Sequence, residues 1–253
     1  MRIIVSSRLP LGVLLLSGIS SIAQQHDPPQ PFPRSERLEY RIEWRLVTAG
    51  TAKIDLSPIG TNWQTKLALQ SAGMVTKLYR VNDSYRALTS DKFCGINATL
   101  EAQEGKRHRY STLSFDNGKR KVEYEERDLV QNKVISKKID VAPCTHEILG
   151  ALATLRLNSA EPGKTLMLPV TDGKKSVMAR IEAQAKETVK IDGKSYETVR
   201  YEAFLFDNVL YQRKGRLWLW VTDDAVRLPV QIRVRLGFPI GNITLTLDKS
   251  ERS

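Results

Sequence analysis

Between residues 38 and 46 the apolar side chains Leu38, Tyr40, Ile42, Trp44 and Leu46 alternate with Glu39, Arg41, Glu43 and Arg45. A period of two sends all the apolar groups to one face of an extended chain. The run predicts an antiparallel-type strand with one packed side and one wet side. The chain then turns around Gly50 and returns through Ala52, Ile54 and Leu56, and "NWQTKLALQS" predicts a third strand. The pattern recurs in "RHRYSTLSFDNGKRKVEYEE", where Asn117-Gly118 separates two alternating runs, and in "VKIDGKSYETVRYEAFL", where Asp192-Gly193 does the same. Both dipeptides tolerate the positive φ angles of a tight hairpin turn. Many strands at hairpin spacing predict a large antiparallel meander.

Two segments break the alternation. "AGMVTKLYRV" (72–81) places Met74, Leu78 and Val81 at helical spacing. "APCTHEILGALATLRL" (142–157) is the stronger helix: Pro143 suits a first turn, Glu147 complements the positive N-terminus, and Ile148, Leu152 and Leu155 form an apolar stripe. Near the end, "RLWLWVTDDAVRLPVQIRVRL" reads as a hairpin, with Asp223 and Asp224 in its turn. Catalytic carboxylate pairs usually face each other across a cleft, whereas adjacent residues of an extended chain point apart, and aspartates cap backbone amides in turns. "GFPIGNITLTL" predicts a last strand.

The first 23 residues carry Arg2 and Arg8, an apolar run from Leu9 to Ile22, and small residues Ser21 and Ala23 before a cleavage point. This is a secretory signal peptide, too short and too broken by Pro10 and Gly18 for a membrane span. Residues 24–35 form a proline-rich, flexible leader, and 36–250 a single β-rich domain. The formal charge is +11; the signal peptide holds two of the cations, so +9 remains. For an exported protein this points to anionic lipid headgroups or polysaccharide rather than nucleic acid. Cys94 and Cys144 are the two cysteines, and an even number in an oxidising compartment predicts a disulfide. It closes a loop of about 50 residues, for about 4 kcal/mol in the chain-entropy model.

Candidate chemistry is sparse. In "RLWLWV", Trp218 and Trp220 point away from Leu217, Leu219 and Val221. Such a strand needs cover on both faces, from the 145–157 helix or from a cavity in which Trp218 and Trp220 hold a lipid or another amphiphile. Lys106, Arg107 and Arg109 precede the Asn117-Gly118 turn and Lys119, Arg120 and Lys121 follow it, a candidate contact for anionic headgroups or glycan. Of the histidines, His26 lies in the leader, His108 stands amid positive charge, and His146 lacks companion metal ligands. No nucleophile elbow or phosphate-binding loop is present, so no catalytic residue, metal or cofactor is assigned.

Together "EYRIEWRLVTAGTA", "EGKRHR", "PCTHEILGAL" and "LWLWVTDDAVRLPVQIRVRLGFPIGNITLTL" resemble the bacterial family known as domain of unknown function 3108, over most of residues 36–248. The resemblance implies a periplasmic or envelope protein with a large antiparallel sheet, and no established catalytic residues. By looser architectural similarity it points to the lipoprotein-carrier-like half-barrels of bacterial envelopes. The expected fold is mainly β with minor α: a curved antiparallel sheet, half-barrel or clam-like, with one or two helices on its concave face. Three functions are weighed: a non-enzymatic envelope protein that binds an amphiphile or supports envelope assembly, a structural or protein-interaction module without a small-molecule ligand, and, least supported, a hydrolase of envelope polymers. Candidate partners are a lipid or other amphiphile, an anionic envelope surface or a protein. Neither nucleic acid nor a transmembrane segment in the mature chain is expected.

Overall fold

A computed structural model describes residues 32, 35–45 and 47–253; the expected signal peptide lies outside them. The strands of one meander are β1 (Glu36–Trp44), β2 (Val47–Ile59), β3 (Asn62–Ser71), β4 (Val81–Thr89), β5 (Gly95–Glu104), β6 (Arg107–Asp116), β7 (Lys121–Asp128) and β8 (Lys133–Asp140). Those of the other are β9 (Thr165–Thr171), β10 (Ser176–Ile191), β11 (Lys194–Phe204), β12 (Gly215–Thr222), β13 (Pro229–Leu236) and β14 (Gly241–Arg252). Helices α1 (Gly73–Leu78) and α2 (Ile148–Leu157) lie in the β3–β4 and β8–β9 links.

All 14 strands form one antiparallel sheet in the order β8-β7-β6-β5-β4-β3-β2-β1-β14-β13-β12-β11-β10-β9. The sheet curves as a half-barrel and does not close. Its two meanders join at the pair β1·β14, which runs from Glu36↔Arg252 to Trp44↔Ile243 with a register shift after Glu39, and Ser35 and Ser253 exchange two backbone hydrogen bonds of 3.1 Å. The two meanders run outward from this seam, ending at β8 on one side and β9 on the other.

Alternation explains the faces. In β1, Leu38, Tyr40 and Ile42 are buried while their neighbours are not. Across the sheet Ile42 pairs with Leu245, Leu245 with Ile232, Ile232 with Leu219 and Leu219 with Tyr201, one apolar ladder on the concave side. The offset ladder joins Arg41, Thr246, Gln231, Trp220 and Arg200 on the convex side. Helix α2 packs Ala151 and Leu155 into the concave cluster with Val170, Tyr201, Leu219 and Val221.

Local chemistry refines several predicted elements. Asp192 and Gly193, at φ 47° and 82°, make the two-residue turn expected of them. Asn117 and Gly118 do not: strand pairing ends at Asp116↔Lys121, and in the four-residue loop between them Arg120 takes the positive φ of 54°. Asn117 instead donates its side-chain amide to the Gly95 carbonyl, which widens the turn. Helix α2 begins at Ile148 rather than near Pro143, because Glu147 caps it by accepting from the Leu149 and Gly150 amides at 2.6 Å. In α1 the predicted stripe faces water, since Met74 and Leu78 are 76% and 71% exposed and Val75 packs inward.

Candidate functional site

The chain's polar investment converges on α2. At its N-terminus the Glu147 carboxylate is buried, and besides the two capping amides it accepts from the Tyr85 hydroxyl at 2.9 Å. Burial raises its pKa, and these three hydrogen bonds oppose the rise. The neighbouring His146 is also buried and donates Nδ1–H to the Phe93 carbonyl at 2.7 Å. Burial lowers its pKa despite that bond.

The residues leading into α2 stitch the open sheet together. Cys144 is disulfide-bonded to Cys94, and the Thr145 carbonyl accepts from the Gly95 amide at 3.0 Å. His146 makes a parallel bridge to Val170, exchanging backbone bonds with Pro169 and Thr171 at 2.8 and 2.9 Å. One short segment therefore ties the start of β5 to the edge of β9.

At the other end of α2, Arg156 and Glu36 form a bidentate pair at 2.5 and 2.9 Å, with side chains only 4% and 2% exposed. Arg156 also donates to the Arg227 carbonyl at 2.8 Å and stacks 4.5 Å above the ring of Phe32. Arg252 reaches Glu36 at 3.2 Å, and Arg227 caps the helix by donating to the carbonyls of Arg156 and Leu157. Phe32, within the segment read as a leader, is buried against Phe93 and Trp63.

The sequence-predicted site residues are dispersed. Trp218 and Trp220 lie on the convex side, not in the helix-facing concavity and not beneath α2. Trp220 is buried, donating its indole N–H to Glu187 at 2.8 Å, and belongs to a core cluster with Ile191 and Val189 of the β10–β11 hairpin and Leu38, Tyr40 and Ile42 of β1. That hairpin folds back over the convex face far enough for Asp192 to meet Arg41 of β1 at 3.4 Å. Trp218 lies beneath the Arg216 guanidinium, which is itself held by Glu202 at 2.6 Å. Both tryptophans are thus packing groups outside the cluster under α2, which covers Leu219 and Val221 instead.

The six cations do not form one ribbon. Lys106, Arg107 and Arg109 stand at one end of β6 and Lys119, Arg120 and Lys121 at the other, roughly 30 Å away along a ten-residue strand. Arg109 pairs with Glu104 at 2.7 Å, Lys119 with Asp116 at 3.2 Å and Lys121 with Asp140 at 2.6 Å.

Asp223 and Asp224 form the expected turn. One oxygen of Asp224 accepts from the amides of Val226 and Arg227 and from the Thr222 hydroxyl, while Asp223 is paired with Lys186 at 2.7 Å. Both line a small polar cleft of about 210 Å³ with Tyr201 and Glu161. A shallower hollow of about 370 Å³ lies among Glu101, Tyr110, Arg127 and Leu129. The first sits where the chain leaves α2, between Ser159–Glu161 and Val199 and Tyr201 of β11. Among the described residues no His, Cys, Asp or Glu group of three could hold a metal ion, and no helix is long and apolar enough to cross a membrane.

Beyond Glu147, the buried charges Glu36 and Arg156 carry sequence signals of their own. Glu36 continues the apolar parity of Leu38 and Tyr40, and Arg156 sits on the helix within reach of the stripe at Leu152 and Leu155. A charge on an apolar face marks a buried pair, but its partner lies 120 residues away.

Comparison with known proteins agrees with this architecture. A family model described as "Protein of unknown function (DUF3108)" matches residues 39–248. A crystal structure of a β-barrel-like protein of the domain of unknown function DUF1849 from Brucella abortus aligns with 88% of this chain and 99% of its own. Its TM-score is 0.58 at 8% identity, a likeness of fold alone. A search of curated proteins finds no match.

Proposed function

Because this chain belongs to the family of proteins of unknown function DUF3108, which hands on no activity, we propose from its own geometry that it is a non-enzymatic, exported envelope protein acting through its surface. Its contact is a strand edge offered to an extended segment of a partner protein. The observation that carries this reading is the edge of β8, fully unpaired among the described residues, on a sheet whose concave side packs against α2. The other edge strand, β9, is capped at its Pro169–Thr171 end by the bridge from His146. Strand β8 keeps an unpaired edge, with Val134 54% and Ile135 47% exposed. An edge of this kind accepts an added strand by main-chain pairing, with alternate side chains setting specificity. Lys133, Lys137 and Lys138 on β8 discourage indiscriminate self-pairing and favour an acidic partner strand.

The buried ionisable groups support a non-enzymatic role, being committed to structure: Glu147 to a helix cap, Glu36 to Arg156, and Asp224 to its turn. The disulfide fits an oxidising compartment. An interior amphiphile site walled by Trp218 and Trp220 is the less favoured reading, since Trp220 is packed among core side chains and hydrogen-bonded to Glu187.

A photo-activated benzoylphenylalanine at Val134 tests the reading in the protein's own cells. A discrete cross-linked protein is expected there and not with the same probe at Ile59, which is also exposed but lies at another turn. Equal labelling at both positions, or at neither, refutes edge binding. Native mass spectrometry of protein purified without detergent should give the apo mass, and a stoichiometric lipid would restore the ligand-binding alternative.

A further inference from the structure

In an antiparallel meander every second connection falls at the same end of the sheet. One rim here carries seven: residues 45–46, 72–80, 105–106, 129–132, 172–175, 205–214 and 237–240. The other carries the remaining turns and the link that holds α2. The two rims differ in both charge and polarity.

Across the seven connections stand eight lysines and arginines against two aspartates. At the opposite rim, counting the whole of 141–164, cations and carboxylates balance at six each. Lys77, Arg80, Lys106, Arg213 and Lys214 are exposed and have no carboxylate partner among the described residues. Their field is therefore not cancelled locally.

The apolar side chains follow the same division. Among the described residues, every large hydrophobic side chain more than 60% exposed lies in these connections: Phe238 at 96%, Met74 at 76%, Leu78 at 71% and Val130 at 61%. They sit on alternate links around the rim, and the links at 45–46 and 105–106 lie between them. The Arg45 guanidinium in the β1–β2 turn donates to the Pro239 carbonyl beside Phe238, and α1, bearing Met74 and Leu78, packs on β2. Tyr79 then lies against Gly105 of the β5–β6 turn. Water-exposed apolar tips interleaved with unpaired cations suit an interface that is anionic at its surface and apolar beneath.

We propose that this rim docks on an anionic lipid surface, with Phe238, Met74 and Leu78 entering the headgroup–acyl boundary and Arg45, Lys77, Arg80, Arg213 and Lys214 contacting the headgroups. The strands then stand away from the bilayer and the edge of β8 remains free. The surface is distinct from that edge, so either proposal can fail without the other.

Sedimentation of the purified protein with vesicles of phosphatidylcholine, with and without phosphatidylglycerol, tests it. Binding is expected to the anionic vesicles alone and to weaken sharply in high salt. Arg213→Glu with Lys214→Glu should lower the partition coefficient by at least about tenfold, and Phe238→Ser by several-fold. Lys119→Glu with Arg120→Glu, at the opposite rim, should leave it within about twofold if contact is local. Phe238→Trp should be quenched by brominated lipid. Absence of binding, equal loss with the opposite-rim variant, or an unquenched Phe238→Trp overturns the proposal. So does retention by an anionic polysaccharide such as alginate without vesicle binding, which would assign the rim to a soluble glycan.

Discussion

Replacing Glu36 with alanine should destabilise the protein far more than any surface charge would. The Arg156–Glu36 pair is almost fully buried, and Arg252 approaches the same carboxylate. Removing the carboxylate leaves two guanidinium groups facing each other with little water to solvate them. Breaking such a pair from one side costs about 3–5 kcal/mol. For a domain of this size, roughly 2–4 °C per kcal/mol puts the drop in Tm at about 6–20 °C. The assay is urea and thermal unfolding of the disulfide-intact protein, followed by circular dichroism. A double-mutant cycle with Arg156→Met separates the pair from its surroundings: the double variant should recover part of the single loss, because no unmatched charge stays buried at that site. Arg156 also donates to the Arg227 carbonyl, so recovery should be incomplete. If Glu36→Ala lies within about 1 kcal/mol of the parent, the range of an exposed pair, the reasoning fails.

Three further outcomes are expected. Cys94→Ser with Cys144→Ser removes a cross-link spanning 50 residues and should lower stability by about 4 kcal/mol, matched by reductant on the parent; unchanged unfolding midpoints would refute a stabilising role for the stitch. Gly173→Ala places a methyl carbon 2.3 Å from Tyr124 at a φ of +87°, whereas Gly163→Ala at +86° meets nothing within 4 Å. The first should cost clearly more than the roughly 1–3 kcal/mol of backbone strain common to both, and equal losses in Tm would show that the β9–β10 turn does not pack on β7. Asp83 has its pKa raised to about 6 by burial and by Glu104. The folded state thus holds that proton more tightly than the unfolded chain, and the stabilisation is complete below about pH 4 and lost as pH rises through about 6. Asp83→Asn should gain stability relative to the parent across that window, and parallel pH profiles would contradict it.

The strands were readable because alternation is a local signal. Leu38, Tyr40 and Ile42 announce their face within five residues, and the same logic separates Leu219 from Trp220. The sequence could not say which side of the sheet α2 would take, because both faces of β12 are apolar. The deciding partner of Trp220 is the β10–β11 hairpin, whose Glu187, Val189 and Ile191 meet it only in the folded chain. Likewise the charged triplets around β6 looked adjacent in sequence, yet a strand separates its two ends by its full length. The rim with Phe238 was invisible for the complementary reason: its members are scattered from 45 to 240 and meet only once the meander is formed.

The seam between β1 and β14 sets an order of events. These strands are the first and the last of the sheet, so their pairing has the largest sequence separation the fold contains. Contacts of that kind form late, because the loop that must close is nearly the whole domain. As the chain emerges in order, β1 to β8 can associate as hairpins while the edge of β1 waits for its partner. Through that interval Leu38, Tyr40 and Ile42 border an unfinished sheet. An emerging chain of this design is most exposed to aggregation just before its final strand arrives, and a holding chaperone would have its greatest effect at that stage.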